Sequence, residues 1–150
     1  MKLTDAFDVS APPESVWGLL KDVPRVAPCI PNAKLTEVVD ATTYKATVGV
    51  KVGPVSVSYK TTITVVEMDD AAHRAVLKVA GNEAQGRGGV SATVTAVVTP
   101  AGDGSHVTLD TDANVSGIIA TVGGRLIEGV AKKTTGEFAR NIATALGAAP

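Results

Sequence analysis

Few side chains in this sequence are of a type that does chemistry, and their neighbours decide what each can do. The two histidines, His73 and His106, have no carboxylate or cysteine at a metal-ligand spacing. Each stands at a predicted strand start beside a turn, the pattern of a solvated strand end rather than a metal site. Cys29 is the only cysteine and lies between Pro28 and Pro31 with no cue for a histidine partner. That context predicts a small buried residue lining a pocket mouth, not a nucleophile, and a lone cysteine excludes an intrachain disulfide framework. Gly86-Arg87-Gly88-Gly89 and Val122-Gly123-Gly124-Arg125 are glycine-rich, but neither follows the strand-to-helix phosphate fingerprint. Both are predicted as hinges at a pocket entrance. Asp110 and Asp112 share one strand face and read as a solvated stripe, not an acid–base pair. Trp17, the only tryptophan, serves either core packing or contact with a ligand from a short-helix lid. Tyr59 carries a polar tip among inward valines, and a buried hydroxyl needs a partner, either Thr61 or a ligand carbonyl.

The elements that hold these residues follow from periodicity. Residues 2–10 alternate as a strand. Ser10 is a candidate cap for a short helix with Pro13 in its first turn, running through Trp17 to Leu20. A second helical turn spans 22–27 and stops at Pro28-Cys29-Ile30-Pro31. From 34 to 116 the apolar period is two. Strands are predicted at 34–39, 43–52, 55–68, 73–81, 90–98 and 107–115. Residues 82–89 form a loop or bulged strand, and Ala101-Gly102-Asp103-Gly104 forms a hairpin turn. Residues 118–147 carry a helical period through Ile119, Val122, Leu126, Val130, Phe138, Ile142 and Leu146. Strand, two short helices, about six further strands and a long helix make an α+β fold, with one curved antiparallel sheet wrapping the last helix.

The 150 residues suit one domain, 1–150. Lys+Arg 14 against Asp+Glu 15 leaves no electrostatic footprint for nucleic acid and no polybasic patch for a membrane surface. The first residues lack the apolar run of a signal peptide, and no stretch approaches the ~18 apolar residues of a membrane span. The chain therefore reads as cytoplasmic and soluble. Gly147-Ala148-Ala149-Pro150 reads as a fraying end or the start of a linker.

Small side chains dominate the inward faces. Hydrophobic residues make up 45% of the chain, yet aromatics are only 3%, with two Phe and two Met. The sheet offers Ala46, Val48, Val50, Val55, Val57, Tyr59, Ile63, Leu77, Val79, Ala92, Val94, Ala96, Leu109 and Ala113 to the helix. Such side chains fill space poorly. Either an apolar cavity of ~300–1,000 Å³ remains, or the sheet flattens and the helix glycines allow close approach.

The layout resembles the helix-grip fold of the START/Bet v1-like (SRPBCC) superfamily. Val16-Trp17-Gly18-Leu19-Leu20-Lys21-Asp22, Ala27-Pro28-Cys29-Ile30-Pro31 and Ile118-Ile119-Ala120-Thr121-Val122-Gly123-Gly124-Arg125 resemble the CoxG-like family of carbon monoxide dehydrogenase subunits. The superfamily implies a pocket for an apolar ligand. The family implies an accessory role for a molybdenum-containing carbon monoxide dehydrogenase at the cytoplasmic face of the membrane. A respiratory quinone such as menaquinone is the candidate guest, with no covalent cofactor and no metal. Members often carry a C-terminal extension that this sequence does not show, so peripheral attachment would run through a missing tail.

The expected function is a non-enzymatic carrier linking that dehydrogenase to the quinone pool. The expected lining is Trp17, Leu20, Cys29, Ile30, Val48, Val50, Val57, Tyr59, Ile63, Leu77, Val94, Ala96, Leu109, Ala113, Ile119, Val122, Gly123, Leu126, Ile127 and Val130. The mouth is expected among Gly53-Pro54, the 86–89 loop and the start of the last helix, with Cys29 and Ile30 as a lid. Two rivals remain: a cyclase or aromatase-like enzyme using Tyr59, Thr61, Thr111 and Glu83, or a ligand-free assembly or recruitment factor.

Overall fold

The structure, a computed structural model, describes residues 1–148. Strand β1 (Lys2–Val9) leads into helix α1 (Pro13–Leu20). Pro13 takes the first helical position, where a missing N–H leaves no bond unmade. Ser10 does not cap this helix: Pro12 holds the N-cap position, without a side-chain bond. Helix α2 (Val23–Val26) is capped by the Asp22 carboxylate, which accepts from the Arg25 backbone N–H. A 3-10 turn, Ala27–Cys29, follows. Six strands come next: β2 (Ala33–Val38), β3 (Thr43–Val52), β4 (Val55–Asp69), β5 (Arg74–Glu83), β6 (Gly89–Ala101) and β7 (Gly104–Val115). β5 runs two residues further than its sequence pattern predicts, so the loop expected at 82–89 shrinks to 84–88. The helical period of 118–147 also divides. Gly117–Val122 is a 3-10 segment, Gly123 breaks it at φ 90°, and α3 spans Gly124–Ala145. Ala149 and Pro150, the end of the predicted fraying tail, lie outside the described residues.

All seven strands form one antiparallel sheet in the order β1-β7-β6-β5-β4-β3-β2. Helix α3 packs on β1 and also reaches β3, five places along that order. A flat sheet would set those strands ~24 Å apart, about twice a helix diameter, so the sheet must curl around α3. Register shifts between Leu35 and Glu37 and between Val65 and Glu67 supply local bends.

Helix α3 lies lengthwise along edge strand β1. Gly124 abuts Met1, Thr135 donates to the Asp5 carboxylate, and the Phe138 ring meets Phe7 edge-on at 5.9 Å. Six strand residues and fourteen helix residues both span ~20 Å, so the two elements stay in step.

The core is divided. One cluster joins α1, α2, the end of α3 and the adjoining strand ends through Val16, Trp17, Leu19, Cys29, Val98, Val107 and Ile142. A second joins Val52, Val57, Tyr59 and Ile119, with Ile118, Val122, Ile127 and Val130 packed against it. The long helix bridges both clusters, but the sheet between them is not packed in the same way.

Candidate functional site

The stretch between the two clusters is an apolar band on the concave face. Ile63 pairs with Val79, Val79 with Ala92 and Ala92 with Ala113; Val65, Leu77, Val94 and Thr111 form the next row. Ile63, Leu77, Val79, Ala92 and Val94 are only half-buried, and Val48 and Ala96 beside them share that state. None of these seven belongs to either cluster. Apolar side chains that face a helix yet stay accessible are not covered by dense packing, which leaves this band less filled than either cluster. Of the expected lining, Val48, Ile63, Leu77, Val94 and Ala96 stand on this band, and Ala113 ends one of its rows. Leu109 packs toward the first cluster, whereas Val50, Val57, Ile119, Val122, Ile127 and Val130 close the other end.

Tyr59 stands at that second end, 4% exposed, and its hydroxyl has no hydrogen-bond partner. Thr61 is not bonded to it; the Thr61 hydroxyl donates instead to the Ala46 carbonyl at 2.8 Å. Burial, reinforced by the nearby Glu83 charge and opposed by Arg87, raises the Tyr59 phenol above its ordinary value, so the group is a neutral donor.

Glu83 faces inward as the register partner of Tyr59 and is also 4% exposed. Its carboxylate accepts from Arg87 Nε and Nη2, both at 3.1 Å, and from the backbone N–H groups of Gln85 and Arg87 at 2.9 and 3.0 Å. These bonds, the Arg87 side chain foremost, hold Glu83 at about 2. It is a fixed anion in a closed clasp, unsuited to proton transfer near neutral pH. Periodicity alone misses this clasp, since it depends on β5 continuing to Glu83 before a tight turn; the Glu83/Arg87 spacing is its one sequence signal.

The 84–88 loop is not a hinge. Ile118 N–H donates to the Arg87 carbonyl at 2.9 Å, and Ser116 N–H to the Gly89 carbonyl at 2.9 Å. Gly88 (φ 127°) and Gly117 (φ 79°) lie backbone to backbone, where a Cβ on either would overlap the other strand's carbonyl. The glycines close a seam rather than loosen a mouth. Leu126, 49% exposed, does lie against Gly53, so the β3–β4 turn and the start of α3 meet as expected.

Five expected lining residues belong elsewhere. The Trp17 indole stacks on His73 at 5.5 Å and donates to Asp70 at 2.7 Å, which commits its ring to the closed end. Leu20 packs beside it. Cys29 is buried against α3, where its backbone carbonyl accepts from the Asn141 amide at 2.8 Å. Asn141 is fifteen residues, or ~22 Å of helix, from Leu126, so Cys29 and Ile30 cannot be a lid for that mouth. Burial also pushes the Cys29 thiol up, against nucleophilic use. Gly123 has open space around its Cβ position and marks the helix break.

The histidines are not free strand ends. His73 Nε2 is 3.2 Å from Glu14, and His106, inside β7, has Nδ1 2.7 Å from Asp8. Among the described residues no three His, Cys, Asp or Glu side chains gather at a metal-ligating distance, and no helix is long and apolar enough to cross a membrane. Asp110 and Asp112 are exposed on the outer face as expected. A shallow depression of about 370 Å³ there is walled by Thr62, Thr64, Lys78, Ser91 and Asp112 together with Val79, Ala80 and Ala92.

The family model for the CoxG subunit of carbon monoxide dehydrogenase matches residues 6–147. The chain belongs to the CoxG family. A search of curated proteins finds no significant match to this CoxG-family chain. Among solved structures it is similar to a conserved protein from Geobacillus kaustophilus, at 27% identity and TM-score 0.86 over 98% of this chain and 95% of that one. It is also similar to TTHA0849 from Thermus thermophilus, at 17% identity and TM-score 0.70 over 97% of each chain. The Zhui aromatase/cyclase from Streptomyces sp. R1128 follows at 13% identity and TM-score 0.65, over 98% of this chain and 93% of that one. The fold is thus shared with an aromatase/cyclase, and at 13% identity that likeness is one of fold alone.

The clasp of the CoxG-family chain carries a pH signature. Glu83 titrates at about 2 in the folded protein against an ordinary 4.5. Its contribution is complete above the ordinary value and is lost as pH falls toward 2. Glu83→Gln is therefore expected to melt below the parent at pH 7, and the gap is expected to close below pH 4.5. Melting temperatures across pH 2–7 check this.

Proposed function

We propose that this protein is a non-enzymatic carrier that holds an apolar guest in the hollow between the sheet and α3. The observation that supports it most directly is the half-buried band of Val48, Ile63, Leu77, Val79 and Val94, which neither packed cluster includes. Affinity would come from burying hydrocarbon, at ~25 cal/mol per Å² less the costs of ordering and association. CoxG-family membership supports an accessory role beside a molybdenum carbon monoxide dehydrogenase. In that role the guest is a respiratory quinone such as menaquinone, an apolar electron acceptor resident in the membrane. The protein would exchange it between the inner face of the cytoplasmic membrane and the enzyme. The cyclase-like reading gains little support, because Glu83 is locked to Arg87 and Cys29 is a buried thiol in the closed end.

The test is organic extraction of protein purified from its own host, followed by mass spectrometry. An apolar molecule near one per chain is the expected result. Recovery of none would overturn the carrier reading.

A further inference from the structure

The buried Tyr59 hydroxyl says more about the guest, on the understanding that the carrier reading holds. A hydroxyl removed from water without a partner is costly, so natural interiors rarely keep one. Neither polar neighbour accepts it: Thr61 is turned to the Ala46 carbonyl, Glu83 is turned to Arg87 and two backbone amides, and the Tyr59 hydroxyl is left without a bonded partner. The apolar side chains packed with it are valines and isoleucines.

We propose that Tyr59 is the recognition donor of the hollow, giving its hydroxyl hydrogen to a neutral carbonyl oxygen on an otherwise apolar guest. Neutrality follows from Glu83. Arg87 is already taken by the Glu83 carboxylate, so it supplies no free cation to pair a carboxylate head group at the same end. Fatty acids and their anions are thereby disfavoured against quinone-like or ketone-bearing lipids. The guest lies with its carbonyl end at Tyr59 and its hydrocarbon along the band toward Ala96. In the closed structure the hydroxyl is walled in, so the acceptor must displace part of that wall. The piece held by neither the sheet ladder nor an α-helix is Gly117–Val122, whose Ile119 packs against Tyr59's cluster. It is tied at one end by the Ile118 bond to Arg87 and is free of side-chain capping at the other, where Gly123 lies in open space. A shift of Ile119 exposes the donor without breaking the Gly88–Gly117 seam.

The experiment uses two probes. One is a 1,4-naphthoquinone bearing a single geranyl tail; the other is the same molecule with both carbonyls removed, a geranylnaphthalene. The parent is expected to prefer the quinone about tenfold, the worth of one net hydrogen bond. Tyr59→Phe is expected to lose that preference and leave naphthalene affinity unchanged, whereas a purely structural role would weaken both probes together. The carbonyl stretch of the bound quinone is expected below its value in hydrocarbon solvent, and to return to that value in Tyr59→Phe. If the parent binds both probes equally, or its bound quinone shows no carbonyl shift, this inference fails while the carrier reading stands. If the parent binds neither probe, both fail.

Discussion

Gly88→Ala is expected to lower the melting temperature by roughly 6–20 °C, at ~2–4 °C per kcal/mol for a chain of this size. The reason is geometric. Gly88 holds φ 127°, a conformation that L side chains rarely adopt, and its Cβ position falls on the Ser116 carbonyl. That carbonyl belongs to backbone, so nothing flexible can move aside. Strain and overlap of this kind cost ~3–5 kcal/mol, in the upper tail of single substitutions. Gly117→Ala meets the Arg87 carbonyl from the opposite side and is expected to behave alike. Gly129 provides the contrast. It lies within α3 with nothing within 4 Å of its Cβ position. Gly129→Ala is therefore expected to raise stability, by up to ~1 kcal/mol. Thermal melts of the three variants settle the matter: a Gly88→Ala protein that melts with the parent would mean the seam is not a constraint.

Filling the hollow is expected to abolish guest binding without unfolding the protein. Ala92 stands between Val79 and Ala113 in the middle of the band. Ala92→Phe places a ring where the guest's hydrocarbon would lie, and affinity for an apolar probe is expected to fall at least ~100-fold, since several buried CH₂ groups at ~0.8 kcal/mol each lose their site. Stability separates this from ordinary overpacking. Forcing a ring into a solid core costs ~1–3 kcal/mol, whereas a ring entering vacant apolar space gains contacts. The variant should therefore melt at or above the parent. A melting temperature several degrees lower, with probe binding intact, would show that the band is not where the guest sits.

Much of the architecture was readable from residue order. Period two from residue 34 to 116 and the helical period after 118 are backbone-level signals, and they suffice for the strand–helix–sheet–helix layout. Tyr59 also stood out, because a phenol among alternating valines is conspicuous in one dimension. The Glu83 clasp did not, since its strand runs past the apolar pattern that marks it. Nor did the seam: Gly88 and Gly117 are separated by a full hairpin, and each alone looks like a flexible joint. Trp17 and Cys29 are buried, as their context predicts, but in the α1 cluster rather than along the band. Apolar type says that a residue is covered, but not at which end of a long helix it is covered. Asp5 shows a similar limit, an acid in line with Leu3, Phe7 and Val9 on one face of β1 that proves to anchor α3 through Thr135 and Lys132.

The seating of α3 along β1 governs the shape of whatever is carried. On its far side the helix is held near the turn at Gly53 and again where Asn141 meets Cys29, ~22 Å apart along its axis. Between those two fastenings the helix flank opposite β1 overlooks the band like the lip of a slot. A slender, extended tail could slide in broadside there while the helix stays docked. A wide, rigid polycycle would first have to prise one fastening loose.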